Sequence, residues 1–239
     1  SLDNTEKVVN EFDDPRIIYL KYSNNGIIAA SRNYGISQAS GSWIAFLDSD
    51  DWWAPTKLER SIFEGLKSDS DIIYHDLFLV KSNSQKLFIS KAKGRKMKGK
   101  IYENLLNYGN ALLNSSVVVK KEVIIKAGCI SEEKDKVSWE DFDCWLRISK
   151  ITNKFLYINE PLGYYWIGGG NISSPDNVIS NTTSIEKYYK NFFNTHSGKP
   201  FWFGNGRGKA FLETRMYNES IYEFQSIDKS SIKFINLIK

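Results

Sequence analysis

Ser42-Trp43-Ile44-Ala45-Phe46-Leu47-Asp48-Ser49-Asp50-Asp51 sets the architecture of this chain. An apolar run of strand length stops abruptly in three carboxylates. In open α/β sheets that C-terminal edge is where loops converge and ligands bind. Carboxylates crowded there repel one another unless something positive sits between them. Oxygen-rich groups of this kind suit Mg²⁺ or Mn²⁺, and such an ion can neutralise the charge that builds on a departing diphosphate. Taken alone, the cluster serves equally well as a cap for the next helix. Its place directly after a strand, ahead of Trp52-Trp53, favours the metal.

The flanking sequence alternates between the two periodicities. Residues 16–22, rich in β-branched and aromatic side chains, read as a strand closed by the turn former Asn24-Asn25-Gly26. Residues 27–39 show helical spacing that Ser40-Gly41 stops. Pro55 opens a helix with Leu58, Ile62 and Leu66 on one face, and residues 71–80 form the next strand. This alternation predicts an α/β fold: a mainly parallel sheet with helices on both faces. Residues 82–100 break the pattern, with six basic side chains between 91 and 100: Lys91, Lys93, Arg95, Lys96, Lys98 and Lys100. They read as a solvated loop, or as a contact with acceptor phosphate or an anionic membrane surface. A helix over 138–150 and short strands over 155–158 and 163–167 follow, and Gly168-Gly169-Gly170 make a flexible loop. Residues 1–175 thus form one domain, and 176–239 a C-terminal helical extension interrupted by a Gly-rich stretch at 198–208.

Hydrophobic residues at 41% and charged residues at 25% exclude wholesale disorder. A net charge of +4 gives no reason to expect a nucleic-acid partner. Cys129 and Cys144 stand in no metal-like spacing and fit a reducing, cytoplasmic setting. The aromatic content of 14% suits a protein that handles carbohydrate, although large cores use the same residues.

A second acidic pair, Glu140-Asp141, begins the helix at 138–150. On local sequence Ser138-x-x-Asp141 reads as a capping box. The functional reading is a general base, because a carboxylate within hydrogen-bond reach of an attacking hydroxyl can take its proton.

Taken in order, Asn25-Gly26-Ile27-Ile28-Ala29-Ala30-Ser31-Arg32-Asn33-x-Gly35, Ala39-x-Gly41, residues 43–51 and Pro55-x-Lys57-Leu58-Glu59 resemble the family-2 glycosyltransferases of GT-A (Rossmann-like) fold. Roughly forty residues match in order and spacing, far more than an isolated motif offers. The resemblance implies that Asp50 is the principal metal ligand, with Asp48 on the metal or the ribose and Asp51 beside them. It places Arg32 and Asn33 near the nucleotide, where a guanidinium can stack on a base and donate to phosphate. It makes Asp141 the general base, with Glu140 in support, and puts Asn114, Ser115 and Trp139 on the acceptor side.

The implied reaction is inverting sugar transfer from a nucleoside-diphosphate sugar, with UDP as the expected nucleotide and Mn²⁺ or Mg²⁺ as cofactor. The implied acceptor is a glycan or lipid-linked saccharide of surface polysaccharide synthesis, such as lipopolysaccharide. It would be met at the inner face of the plasma membrane through a peripheral contact. A nucleotidyltransferase and a non-catalytic nucleotide- or glycan-binding remnant are the rival readings.

The sequence departs from the family at two places. Many members carry a Tyr-Arg-x-His-like segment where this chain has Tyr165-Trp166-Ile167-Gly168-Gly169-Gly170-Asn171-Ile172-Ser173. Either Asn171 substitutes for that His or the contact is absent, and His75 reads as a core or edge residue. Members also begin with a buried strand, a helix and a strand ending in D-D-G-S, whose tail Ser1-Leu2-Asp3-Asn4-Thr5 resembles. The expectation is a chain lacking that strand-helix-strand, about forty residues at usual βα unit lengths.

Overall fold

The computed structural model describes residues 4–230 apart from 83, 86, 170–173 and 197. Residues 1–3, Asn171 and the end of the helical extension past 230 therefore lie outside the described residues.

Six strands form one sheet in the order β1-β5-β3-β6-β2, with β4 on β3. They are β1 (Trp43–Ala45), β2 (Trp52–Trp53), β3 (Ile72–Val80), β4 (Lys91–Ala92), β5 (Val118–Lys120) and β6 (Phe155–Trp166). The α/β class holds, but the sheet is mixed rather than mainly parallel. Among the described residues β3–β6 is the one parallel pair, and β1–β5, β3–β5, β2–β6 and β3–β4 are antiparallel. Strand–helix alternation counts elements but does not say which edges become neighbours, and that choice fixes direction.

Period-2 alternation distributes the apolar side chains over two faces. Ile72, Tyr74, Val117 and Val119 enter the larger core, and Ile73 and Val118 the smaller one. The larger core is covered by α2 (Ile28–Gln38), α4 (Ile101–Tyr108), α5 (Lys121–Lys126) and α6 (Glu140–Ser149). The smaller is covered by α3 (Lys57–Lys67) through Ile62. Helices on both faces are thus as expected.

Several local expectations are corrected. Residues 16–22 form no strand: they leave a turn in which the Ile17 N–H donates to Asp14 O, pair with no described strand, and leave Ile17, Ile18 and Leu20 exposed. The strand signal of β-branched residues makes a strand only where a partner edge is available. Tyr22 instead stacks on Tyr34 of α2, with ring centroids 4.7 Å apart. The two short strands expected over 155–167 are one strand, β6, which ends at Trp166 and absorbs Pro161 at a register shift opposite Asp76. The basic run is solvated except at Arg95 but is not all loop, because Lys91 and Ala92 pair with Phe78 and Leu77.

The extension comprises α7 (Pro175–Tyr188), α8 (Lys190–Thr195), α9 (Phe201–Glu213) and α10 (Tyr217–Gln225), while α1 (Thr5–Asn10) lies near the start of the chain. The Gly-rich stretch interrupts the helices only at its start, where 198–200 lie between α8 and α9, for α9 runs through Gly204, Gly206 and Gly208. A Cβ on Gly208 would stand 2.8 Å from the Phe224 ring, so the missing side chain lets α10 pack close. The extension also reaches the main core: Ile185 and Phe203 are buried in it, and Trp202 Nε1 donates to Leu106 O at 2.8 Å.

Candidate active site

A cleft of about 640 Å³ opens where β1 ends and α6 begins. Arg32, Asp48, Asp50, Asn114, Glu140 and Asp141, all singled out in the sequence, line it together. Its centre is a three-way ionic contact. Arg32 Nη2 donates to Asp48 Oδ1 at 2.5 Å and Nη1 to Glu140 Oε1 at 2.8 Å. Burial opposes the charge on Arg32, but Asp48 and Glu140 outweigh it and its pKa is raised. One guanidinium therefore joins the acidic cluster after β1 to the acidic pair that starts α6.

Asp48 is held from behind as well. Its Oδ1 accepts from Asn114 Nδ2 at 2.8 Å, and its backbone N–H donates to Ser115 Oγ at 3.0 Å. Both partners come from a single 3-10 turn, Asn114–Ser116, immediately before β5. That turn is fixed by Trp53 Nε1, which donates to Ser115 O at 2.8 Å.

Asp141 sits in the first turn of α6. The capping box read from Ser138 is not formed: the N-cap is Trp139, no side chain caps the helix, and Ser138 has φ +75°. A residue in that left-handed conformation turns the chain away from the geometry a capping box requires. Asp141 Oδ1 accepts from the Phe142 N–H at 2.6 Å, and Oδ2 lies 3.4 Å from Asn110 Nδ2. Burial, reinforced by the neighbouring Glu140 charge, pushes its pKa up to about 7. A carboxylate poised there can accept a proton near neutral pH. Asp143, two residues on, is tied to Arg147 at 2.8 Å and Lys136 at 3.4 Å and packs within the fold.

Four residues singled out in the sequence stand behind the cleft rather than in it. Asn33 points the other way, with Nδ2 donating to Ile130 O and Oδ1 accepting from the Ile130 N–H. Asp51 is buried and accepts from the Trp166 N–H at 2.9 Å, fastening the acidic loop to β6; burial raises its pKa. The Ser115 hydroxyl is engaged by Asp48 as described. Trp139 is buried against Tyr188 and Tyr189, with Nε1 donating to Asp135 O at 3.0 Å. His75 is buried, with Nδ1 against Asp76 O at 2.7 Å, and is not part of the cleft.

Other lining residues were given no site role from the sequence. Ser31 and Ser138 are small polar groups, and Tyr165 comes from the segment noted for lacking a His. Burial and then the charges of Asp51, Asp50 and Asp48 raise the Tyr165 pKa. Asn177 and Asn181, one helical turn apart on α7, form a further wall. Their spacing was visible, but nothing local places α7 against the sheet.

Among the described residues no group of three acidic, His or Cys side chains can hold a metal ion. The donor set fits a less complete arrangement. Asp50 faces the cleft, and Asp48 commits only Oδ1 to Arg32 and Asn114. One or two carboxylates completed by phosphate oxygens is how Mg²⁺-type ions are usually held.

Comparison with known proteins shows what the chain resembles. The profile of Glycosyl transferase family 2 matches residues 1–116. An uncharacterized glycosyltransferase of Nostoc sp. is 25% identical over 240 residues, covering 95% of this chain and 74% of that protein. The Escherichia coli protein named UDP-Glc:alpha-D-GlcNAc-diphosphoundecaprenol beta-1,3-glucosyltransferase WfgD is 31% identical over 164 residues, 64% of this chain and 56% of its own length. The crystal structure of S. aureus TarS 1-349 shares the fold with a TM-score of 0.55 at 16% identity, over 89% of this chain and 58% of that one. The acidic loop after β1 lies inside the stretch that matches, so residues 1–116 of this chain are similar to glycosyl transferase family 2, on a fold shared with TarS.

Proposed function

We propose that this chain transfers a sugar, with inversion, from a UDP-sugar to a lipid-linked saccharide in surface polysaccharide synthesis. The observation that carries the reading is Arg32, which brings Asp48 and Glu140 to opposite ends of one guanidinium in the cleft that Asp50 and Asp141 also line. Similar proteins from E. coli, named as UDP-Glc-dependent glucosyltransferases acting on a diphosphoundecaprenol-linked sugar, support the donor and acceptor classes.

The chemistry assigned to the residues is a single in-line displacement. The acceptor oxygen forms a bond to the anomeric carbon while the bond from that carbon to the diphosphate oxygen breaks. Asp141 takes the hydroxyl proton, and the electron pair leaves with UDP. Asp50, with the second carboxylate oxygen of Asp48, would hold Mn²⁺ or Mg²⁺, which supplies charge neutralisation at the diphosphate when bound. Arg32 keeps the two acidic segments in register, and its guanidinium, already facing the cleft, can donate to phosphate oxygens. Tyr165, Asn177 and Asn181 provide hydrogen-bonding groups for sugar hydroxyls.

Thermal unfolding with UDP, with and without Mn²⁺, tests the donor site on this chain and on Asp50→Ala. Saturation at about a hundred times the dissociation constant adds about 2.7 kcal/mol, a shift of roughly 5–10 °C for a chain of this size. The expected shift needs the metal and vanishes in Asp50→Ala. A shift that ignores both metal and variant sinks the assignment, as does its absence throughout. Release of free sugar from UDP-glucose then separates a transferase from a binding remnant.

A further inference from the structure

The basic run has a second feature that neither the fold nor the cleft uses. Between Asp76 and Glu103 the sequence contains no acidic residue. Among the described residues here Lys91, Lys93, Lys96 and Lys98 are exposed and paired with no carboxylate, whereas Lys100 meets Glu103 at 3.2 Å. Immediately before them, Leu87 and Ile89 are 70% and 71% exposed.

This strip is held rigidly from beneath. Ala92 is paired with Leu77, the Gly94 N–H donates to Asp76 Oδ1 at 2.9 Å, and Arg95 Nη2 donates to Gly109 O at 2.9 Å. Tyr74 Oη donates to Arg95 O at 2.6 Å, and Met97 packs on the main core. Ala92, Gly94, Arg95 and Met97 are partly buried, and Lys91, Lys93, Lys96 and Lys98 between and beside them are left to solvent. Phe88 is the anchor between the two exposed aliphatics, its ring 5.0 Å from Tyr164 and 6.0 Å from Phe78. Tyr164 stacks in turn on Trp52, the residue after Asp51, at 5.2 Å. The apolar tip is therefore one aromatic stack away from the acidic loop.

An exposed aliphatic pair alone is ordinary, and so is a solvated basic loop. Their combination on an anchored hairpin matches a surface that is negatively charged outside and apolar just beneath. We infer that Leu87 and Ile89, flanked by Lys91, Lys93, Lys96 and Lys98, dock the protein on an anionic phospholipid bilayer. A nucleic acid would engage the lysines but has no use for the aliphatic tip. The inference extends the acceptor half of the proposed function, since a lipid-linked saccharide is reached from the bilayer surface. Its test needs neither donor nor acceptor, so the two readings fail separately.

The whole chain is floated with vesicles of phosphatidylcholine, or of phosphatidylcholine containing about 30% phosphatidylglycerol, a charge density at which each lysine is worth about fivefold in binding. Binding to the anionic vesicles only is expected, with loss as salt is raised. Leu87→Ser/Ile89→Ser is expected to weaken it about tenfold or more, and Lys93→Gln/Lys96→Gln by about 25-fold. These side chains are exposed, so unchanged melting temperatures confirm intact folds. Failure of the protein to float with anionic vesicles overturns the inference. So does flotation that either double variant leaves unchanged. Tighter capture of a single-stranded oligonucleotide than of vesicles, indifferent to Leu87→Ser/Ile89→Ser, would assign the strip to nucleic acid instead.

Discussion

Glu140 and Asp141 are neighbours in the chain, yet they meet different surroundings. Glu140 gives one oxygen to Arg32, while Asp141 receives only the Phe142 N–H and a long contact from Asn110. Burial and the adjacent Glu140 charge therefore hold the Asp141 proton to about pH 7. With its folded pKa above the unfolded value of 3.8, the folded state binds more protons between those two limits. Stability attributable to this group is full below pH 3.8 and is lost as pH rises towards 7. Asp141→Asn is expected to raise stability at pH 8 by roughly 1–3 kcal/mol, a discounted reading of the shift. The same variant should lose transfer by about a hundredfold or more, the scale of one general base. In the wild type kcat/KM should climb with pH and level off above about 7. Chemical denaturation and a pH–rate profile check these effects, and an Asp141→Asn variant with unaltered turnover would remove the base assignment. The pair was visible in the sequence, but the tuning was not, because burial arises from residues far along the chain.

At the scale of elements, α3 shows how an amphipathic pattern can mislead. Leu58, Ile62 and Leu66 do share a stripe, yet Leu58 and Leu66 are exposed, and the buried face is Lys57, Ser61 and Gly65. A Cβ on Gly65 would come within 2.5 Å of Ile73 Cδ1, so the glycine admits a close helix–sheet approach. Lys57 then sits fully buried, its ammonium 3.9 Å from the Trp53 ring centroid and without a hydrogen-bond acceptor among the described residues. Burial brings its pKa down to about 7. Behind it, burial and the Lys57 charge lower the pKa of His75 to about 4. Because the unfolded lysine keeps its proton up to about pH 10.5, this group makes stability rise with pH between about 7 and 10.5. Lys57→Met should be more stable than the wild type at pH 6 by roughly 1–2 kcal/mol, after losing the cation–π contact. It should also lack most of that rise. Urea denaturation at pH 6 and pH 9.5 measures both, and a variant less stable at pH 6 would show that the contact with Trp53 outweighs the buried charge.

Across the whole molecule, the C-terminal helices and the sheet share one core. Trp202 of α9 donates to Leu106 O, meets Phe142 of α6 edge-on at 5.8 Å, and lies against Gly109. Gly109 has φ +79°, and a Cβ there would stand 2.9 Å from the indole, so conformation and space both call for glycine. Through α9 the same packing supports α7, whose Asn177 and Asn181 line the cleft. Trp202→Ala is expected to cost about 2–4 kcal/mol, somewhat below a fully buried tryptophan. It should shift one cooperative transition seen equally by far-UV circular dichroism and intrinsic fluorescence. Two separated transitions would instead mark residues 176–230 as an independently folding unit.

The apolar run into Asp48-x-Asp50-Asp51, the helical spacing of α2 and the Glu140-Asp141 pair are local patterns. Periodicity and order in the chain were enough to give the α/β class, and the resemblance to a known family pointed to six of the residues that line the cleft. Pairing direction, the idle strand signal at 16–22 and the inward turn of Asn33, Asp51, Ser115 and Trp139 depend on which surfaces meet. Arg32 bridges Asp48 to Glu140, and α7 forms a wall of the same cleft, only after the chain has folded back on itself. Local sequence encodes the conformational preference of each segment. Long-range packing sets the burial, ion pairing and proton affinity on which the chemistry depends.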